Sequence, residues 1–406
     1  MQIISVVGQG YVGLPLSMAF CEAGFRVVGF DNSLEKISKL KAGISYIDDI
    51  PDTVLQKHLK SGNYCPTSSP LDLAGSEYAI IAVPTPLNEN RMPDLSYVTL
   101  AAENLGKHLD RNCLIINEST SFPGTLRNVI APVVEKNSKV GIAHTFAVSP
   151  ERVDPGNSTW TIKNTPRLFA GLTKSASVAT SKLYGEICES LHEVASPEIA
   201  ESAKLFENTF RQVNIALVNE FSLIMQALGI PTRDVIEAAN TKPYGFMKFN
   251  PSVGVGGHCI PVDPSYLAFS AREVGVKPQF IDLANTVNGQ MPEQLLKIIG
   301  KESGIVWSGK KILICGLAYK PNIQDLRESP SLHLLKILES KGCEVSYYDP
   351  LIPEYLNRNN EIPKKGSFDL TIIAQIHDAH DKKAIMESAP LVFDITGKCL
   401  EAKQVI

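Results

Sequence analysis

Short, nearly continuous apolar runs recur through the first third of the chain. Ile3-Ile4-Ser5-Val6-Val7 is β-branched except at Ser5, as expected of a strand buried on both faces of a parallel sheet. A helical stretch from Leu14 to Ala23 follows, then a second strand, Arg26-Val27-Val28-Gly29-Phe30. Tyr78 to Val83, Leu114 to Asn117 and Gly141 to Val148 continue the alternation, which predicts a doubly wound α/β sheet. From Pro197 the period changes. Residues 197–228 contain no internal proline or glycine and stop at Gly229, predicting one helix on the order of 45 Å long. A third segment begins near Gly309 and repeats the first: Lys311 to Cys315 runs into Gly316, Glu344 to Tyr348 closes on Asp349, and Asp369 to Ala374 matches Tyr78 to Val83. The expected fold is therefore α/β, with two Rossmann-like doubly wound domains joined by a long central helix and a helical dimerisation region. Its boundaries are 1–196, 197–305 and 306–406.

The first strand leads into Gly8-Gln9-Gly10-Tyr11-Val12-Gly13, and the second ends at Asp31, 18 residues after Gly13. Strand, glycine turn, helix, strand and acid together form a dinucleotide fingerprint. The glycines let a pyrophosphate rest on a helix N-terminus, and the acid meets the ribose hydroxyls. Asp31 would repel a 2′-phosphate and no arginine follows it directly, which favours NAD. The third segment lacks the triplet and suits a nucleotide or sugar instead. In doubly wound sheets, ligands lie beyond the carboxyl ends of the strands. The segments 83–86 (VPTP), 118–120 (EST) and 149–152 (SPER) all sit at such ends, so a binding crevice is expected there.

The other chemically suggestive run is Val253 to Asp263, with glycines at 254, 256 and 257 ahead of Cys259. Glycines that let backbone approach a ligand, a thiol and a nearby acid suit covalent catalysis by a thiolate. A buried cysteine beside a tight turn would look the same. On the long helix, Lys204, Asn208 and Arg211 share a face; that stripe is either solvated or turned to a ligand. Net charge is −4 with no basic tract, which makes nucleic acid and anionic membrane poor partners. No apolar stretch is long enough to span a bilayer, and the opening strand lacks a basic leader. The eight cysteines are scattered without a CxxC pair, as in a reduced cytoplasmic protein rather than a disulfide or zinc framework. His377 and His380 read as loop residues, and no metal is expected.

With these residues in view, the chain resembles the UDP-glucose/GDP-mannose dehydrogenase family from end to end. The resemblance rests on GQGYVG (8–13), VPTP (83–86), ESTSFPGT (118–125), SPERVDPG (149–156), KLFENTFR (204–211), GVGGHCIPVDP (254–264) and GLAYKPNIQDLRESP (316–330). It is strongest to the branch acting on UDP-N-acetylhexosamines, above all UDP-N-acetylglucosamine, through His258, PERVDPG and Thr241 to Phe246. The resemblance implies oxidation of a sugar C6 alcohol to a carboxylate with two NAD+ per turnover, supplying surface-polysaccharide precursors.

Carried over to this chain, Cys259 captures the intermediate aldehyde as a thiohemiacetal that is oxidised to a thioester. Glu151 is the base for its hydrolysis, Lys204 and Asn208 stabilise the C6 oxyanion, and Asp263 with Lys204 orders a water. Thr120 lies on the nicotinamide side. Gly8, Gly10, Tyr11, Val12, Gly13, Asp31, Lys36, Thr85 and Thr120 would meet NAD, joined by Arg327. Lys320, Arg211, Phe249, Ser252 and Gly256 would line the nucleotide sugar. Lys36 and Phe249 could equally be solvated or core residues; for Arg327 the alternative is an internal ion pair within Asp325-Leu326-Arg327-Glu328, and the motif match favours cofactor contact. Glucose-type members often carry a second Glu where this chain has Pro155, and an Arg where it reads Thr241-Lys242-Pro243-Tyr244; both departures put UDP-glucose in doubt. The family is usually dimeric or larger, so a homodimer or higher homo-oligomer is expected.

Overall fold

A computed structural model describes residues 2–47, 49–153, 157, 159–360 and 362–406. The chain divides into two compact units, one formed by residues 1–207 and 265–274, the other by 208–264 and 275–406. Pro155 and the rest of 154–156 lie outside the described residues.

The first unit holds an eight-stranded sheet of β1 (Ile3–Val7), β2 (Arg26–Phe30), β3 (Tyr64–Thr67), β4 (Tyr78–Ile81), β5 (Leu114–Asn117), β6 (Thr145–Val148), β7 (Arg167–Gly171) and β8 (Leu191–Glu193). The order is β3-β2-β1-β4-β5-β6-β7-β8, with β6–β7 the antiparallel pair. Alternate residues of the central strands feed two cores. Ile4, Val6, Ile80 and Ile116 join Leu14, Phe20 and Val27 on one face. Val7, Ile81 and Ile115 join Val98, Leu105 and Leu126 on the other. Each such aliphatic contributes roughly 1.5–3 kcal/mol by burial, and burial of both faces is why these strands read as unbroken apolar runs.

The second unit carries β9 (Lys311–Cys315), β10 (Glu344–Tyr348), a small hairpin of β11 (Glu354–Tyr355) and β12 (Arg358–Asn359), then β13 (Leu370–Ile373), β14 (Val392–Asp394) and β15 (Lys403–Gln404). The parallel sheet runs β10-β9-β13-β14-β15. The expected α/β fold with two doubly wound sheets is the observed one. Three strands of the first sheet, β3, β7 and β8, and the short β14 and β15 go beyond the sequence expectation. β3 contains Pro66 and pairs only with β2, as a sheet edge permits; β8 is Leu-His-Glu with two exposed residues, so neither carries an apolar signature. The run from Gly141 shortens to Thr145–Val148.

The long helix spans Pro197–Leu228, 32 residues. It ends at Gly229 in the left-handed region (φ 70°), where the Ile230 amide donates to the Met225 carbonyl at 2.9 Å, closing the last turn.

The two sheets share a device at the point where strand order reverses. A Cβ on Gly8 (φ 95°) would lie 2.3 Å from the Ala82 carbonyl oxygen, and one on Gly316 (φ 83°) 2.2 Å from that of Gln375. Both turns are also tied to the acid after the second strand of their sheet. Asp31 accepts from the Gln9 amide at 2.9 Å, and Asp349 from the Leu317 and Ala318 amides at 2.8 and 3.0 Å. Gly316→Ala meets both the clash and the strained φ, whereas Gly309 (φ 74°) has open space around its Cβ position. Thermal melts are expected to show Gly316→Ala destabilised by more than ~2 kcal/mol and Gly309→Ala by about 1 kcal/mol.

Candidate active site

The glycine turn of the first unit is built by packing at its ends and left bare in the middle. A Cβ on Gly13 would sit 1.8 Å from the Gly8 carbonyl oxygen, while one on Gly10 would meet nothing within 4 Å. Packing therefore explains Gly8 and Gly13. Gly10 is explained by a ligand that needs bare backbone at the start of the helix Gly13–Glu22, which is the demand a pyrophosphate makes. The turn thus fits a dinucleotide. Gln9, which the sequence reading passed over, is buried and pins it: its Nε2 donates to the Val6 carbonyl at 2.9 Å, and Tyr64 donates to its Oε1 at 2.8 Å. Asp31 is buried, accepts from the Ser33 amide at 2.9 Å and lies 3.5 Å from Lys36 Nζ. Ser33 caps the helix Leu34–Lys41 through the Lys36 amide, which places Lys36 beside the acid.

At the ends of β4 and β5, Thr85 and Thr120 are both buried. The loop carrying Thr120 is anchored on each side. Ser119 Oγ accepts from the Val83 amide at 2.9 Å. Beyond it, the buried carboxylate of Glu201 on the long helix accepts from Ser121 Oγ and from the Gly124 and Leu126 amides at 3.2, 2.7 and 3.0 Å. Glu201 was not singled out from sequence, although a glutamate three residues before Lys204 lies on the same helix face. Burial pushes its carboxyl up to about 7 against those three hydrogen bonds.

After β6, Glu151 lies in a buried charge cluster that the sequence did not foreshadow. Arg167 bridges Glu118 at 2.9 Å and Glu151 at 3.0 Å, and its guanidinium lies 4.6 Å over the Tyr184 ring. Tyr184 donates to Glu118. Glu151 also accepts from the Arg152 and Val153 amides, each at 2.7 Å. Burial raises Glu151, but Arg167, the Val153 amide and Lys204 outweigh it and bring its carboxyl to about 2. Glu118 has fewer such partners, and burial carries it to about 7. Tyr11, Val12, Glu151, Trp160 and Cys188 line one cavity of about 720 Å³.

In the second unit, Cys259 is exposed while six of the other seven cysteines are buried. The Cys259 carbonyl accepts from the Val262 and Asp263 amides at 3.1 and 2.8 Å, a turn that delivers the chain into the helix Asp263–Glu273. Asp263 is buried and accepts from Asn208 Nδ2 at 2.7 Å. The glycines before the cysteine serve packing more than the sequence implied. A Cβ on Gly256 would fall 2.6 Å from Tyr319 Cβ, and one on Gly257 2.7 Å from the Tyr319 ring. The Gly257 amide donates to the Arg327 carbonyl at 2.9 Å. Tyr319 and Pro330, which meet this loop, went unnoticed in the sequence.

Among the proposed sugar-side residues, Ser252 is held through its amide by Asn219 at 2.8 Å, and Phe249 stacks edge-on against Phe210 at 6.1 Å. Arg211 is exposed and Lys320 half-buried. Arg327 makes the internal pair with Asp325, at 2.6 Å. His377 and His380 lie in a loop as expected, but buried and stacked at 5.0 Å. His377 Nδ1 accepts from the Asn322 amide at 2.7 Å, so its Nε2–H faces Asp349 at 3.2 Å. Among the described residues, no cluster of His, Cys, Asp or Glu is arranged to hold a metal, and no helix is long and apolar enough to cross a membrane.

Comparison with known proteins places this geometry. Residues 2–188 match the UDP-glucose/GDP-mannose dehydrogenase family, NAD binding domain; 198–290 match its central domain and 313–400 its UDP binding domain. The chain is 35% identical over 387 residues to a UDP-N-acetyl-D-glucosamine 6-dehydrogenase of Pseudomonas aeruginosa, covering 92% of this chain and 90% of that one. It is 37% identical over 357 residues to a UDP-N-acetyl-D-mannosamine dehydrogenase of Pyrococcus horikoshii, covering 86% and 84%. A solved UDP-D-ManNAc dehydrogenase structure from Pyrococcus horikoshii superimposes with a TM-score of 0.90 at 32% identity, covering 100% of this chain and 99% of that one.

The raised carboxyl of Glu118 has a consequence for stability. Its ordinary value is 4.5 and its folded value about 7, so the folded state holds the proton more tightly. Stability is then lost as pH rises between those values. Glu201 contributes in the same direction. Urea midpoints are expected to fall between pH 5 and pH 7.5, and Glu118→Gln should shrink that fall without abolishing it.

Proposed function

Because the chain belongs to the UDP-glucose/GDP-mannose dehydrogenase family and is an NAD-dependent UDP-sugar dehydrogenase, we propose that it oxidises C6 of a UDP-N-acetylhexosamine, foremost UDP-N-acetylglucosamine, to the carboxylate. NAD+, when bound, would supply the oxidant for both oxidations at C6. Gly8, Gly10, Tyr11, Val12, Gly13, Asp31, Lys36, Thr85 and Thr120 are assigned to holding it, with Arg327. Arg211, Phe249, Ser252, Gly256 and Lys320 are assigned to the nucleotide sugar.

The observation that carries the chemistry is the turn at Cys259. It presents an exposed thiol four residues from a buried acid that is hydrogen-bonded to Asn208. The Cys259 thiolate adds to the C6 aldehyde carbon and keeps a reactive intermediate covalently bound. Asn208 spends one N–H on Asp263, which fixes the amide's rotation and leaves the other N–H to donate to the C6 oxygen. Lys204, a buried cation one helical turn earlier, supports the same oxyanion and, with Asp263, orders the water that takes the first proton. In the last step a water oxygen adds to the thioester carbon, the C–S pair returns to sulfur, and Glu151 receives the water's proton. Thr120 orders a water on the nicotinamide side.

The similarity to UDP-N-acetyl-D-mannosamine dehydrogenases favours a second reading, the C2-epimeric sugar. We also propose a homodimer. Phe210, Leu217, Ile224 and Leu228 are exposed on the long helix at spacings of 7, 7 and 4 residues, and Phe280 and Leu283 are exposed on the helix Gln279–Ser303. Such apolar rows on helices are what a partner surface would cover. Cysteines outside any disulfide among the described residues suit a cytoplasmic setting.

NADH release should be measured with limiting UDP-N-acetylglucosamine, UDP-N-acetylmannosamine, UDP-N-acetylgalactosamine and UDP-glucose. Two NADH per sugar are expected, fastest with the first. Another preferred sugar would reassign the substrate, and one NADH per sugar would remove the thioester step. Cys259→Ser is expected to cut steady turnover by on the order of 10³-fold; a mutant that turns over normally would refute covalent capture. Sedimentation should give a dimer, and Leu217→Glu with Ile224→Glu a monomer.

A further inference from the structure

Glu151 carries an unusual load for a proposed base. One oxygen accepts two backbone amides and the other accepts Arg167. Arg167 is itself buried and divided between two carboxylates, with Glu118 on its other side, Ser149 Oγ at 3.3 Å and the Tyr184 ring beneath it. A guanidinium is the side chain that can bridge two carboxylates in one plane, because its nitrogens are fixed relative to one another. Glu118 and Tyr184 leave Arg167 little rotational freedom, and Arg167 in turn fixes the direction of the Glu151 carboxylate. Glu151 also lines a cavity that reaches Tyr11 and Val12 of the dinucleotide turn.

We propose that Arg167, braced by Glu118 and Tyr184, is the positioning residue that orients the Glu151 carboxylate. This rests on the reading of Glu151 as the residue that receives the proton in thioester hydrolysis. The charges also have an order. Two carboxylates face one guanidinium away from water, and an uncompensated buried charge is costly. Glu151 has two amides and the nearby Lys204 in addition; Glu118 has the Tyr184 hydroxyl beside Arg167 and is raised by burial and by the Glu151 charge. Below neutrality the excess proton therefore resides on Glu118, and Glu151 stays a carboxylate throughout. Its function is then to hold the hydrolytic water in line and to take up its proton only as the C–O bond forms, when the water has become acidic.

The test compares Arg167→Lys, Glu118→Gln, Tyr184→Phe and Glu151→Gln in the full-length enzyme with NAD+ and the preferred UDP-sugar. A lysine carries the charge but cannot bridge two carboxylates in a fixed plane. Arg167→Lys should lower kcat by about tenfold or more with KM changed less than about threefold. The acid limb of its kcat–pH profile should move upward, because a lysine shared with Glu118 replaces the fixed guanidinium hydrogen bond to Glu151 with a weaker one. Intact mass spectrometry under turnover should show a larger fraction of enzyme covalently modified at Cys259, as hydrolysis becomes slowest. Glu118→Gln and Tyr184→Phe keep the packing nearly intact and should give the same kcat loss in smaller measure. An Arg167→Lys enzyme with the wild-type acid limb and no accumulated adduct, beside a slow Glu151→Gln, would overturn this inference alone. A Glu151→Gln enzyme at the wild-type rate would overturn the reading of Glu151 and this inference with it.

Discussion

At each reversal of strand order, a carbonyl oxygen occupies the space where a side chain would begin. Ala82 stands over Gly8 and Gln375 over Gly316. These contacts bring the first turn of each sheet hard against the neighbouring strand end, and a buried acid, Asp31 or Asp349, locks the turn through its amides. The backbone can pass this closely only at residues without a Cβ. The strand-end segments that hold Thr85, Thr120 and Glu151 are hung from the same sheet, so their positions inherit that constraint.

The two halves use one architecture for different ends. In the first, a bare Gly10 leaves the helix start open to a pyrophosphate. In the second, the acid that would serve a ribose is consumed internally: Asp349 takes two turn amides and the Nε2–H of the buried His377. Asp349 so engaged closes its turn, and the loop after β9 lacks the glycine triplet, so the repeat of strand and acid does not imply a second NAD. Its turn loop instead supports the cysteine loop, through Tyr319 and the Arg327 carbonyl.

Buried charge does the positioning work in the first unit. Glu201 gathers two amides and a hydroxyl of the Thr120 loop onto the long helix, and Arg167 ties Glu118 to Glu151. Leaving any of these groups unpaired away from water would cost several kcal/mol, so each network admits few arrangements. Burial raises both neighbouring carboxyls, but Arg167, the Val153 amide and Lys204 bring Glu151 down while Glu118 stays up. Acid–base roles follow from surroundings more than from residue type.

Sequence alone determined the features that depend on local pattern. Apolar runs with both faces buried announced the central strands, the uninterrupted stretch to Gly229 announced the long helix, and the glycine triplet with Asp31 announced the dinucleotide turn. Cys259, Lys204, Asn208 and Asp263 were legible as candidates from type and spacing, while the roles proposed for them come from the family resemblance. The edge strands were not, since Pro66 and the polar Leu191–Glu193 are held by their neighbours rather than by their own preference. Nor were Gln9, Glu118, Arg167, Tyr184, Glu201 and Tyr319, because contacts between residues 16 to 80 positions apart leave no periodic trace along a chain. Those partners exist only once folding has closed the loops between them, and there it is tertiary structure that decided which charges are buried together and why the glycines before Cys259 must be glycines.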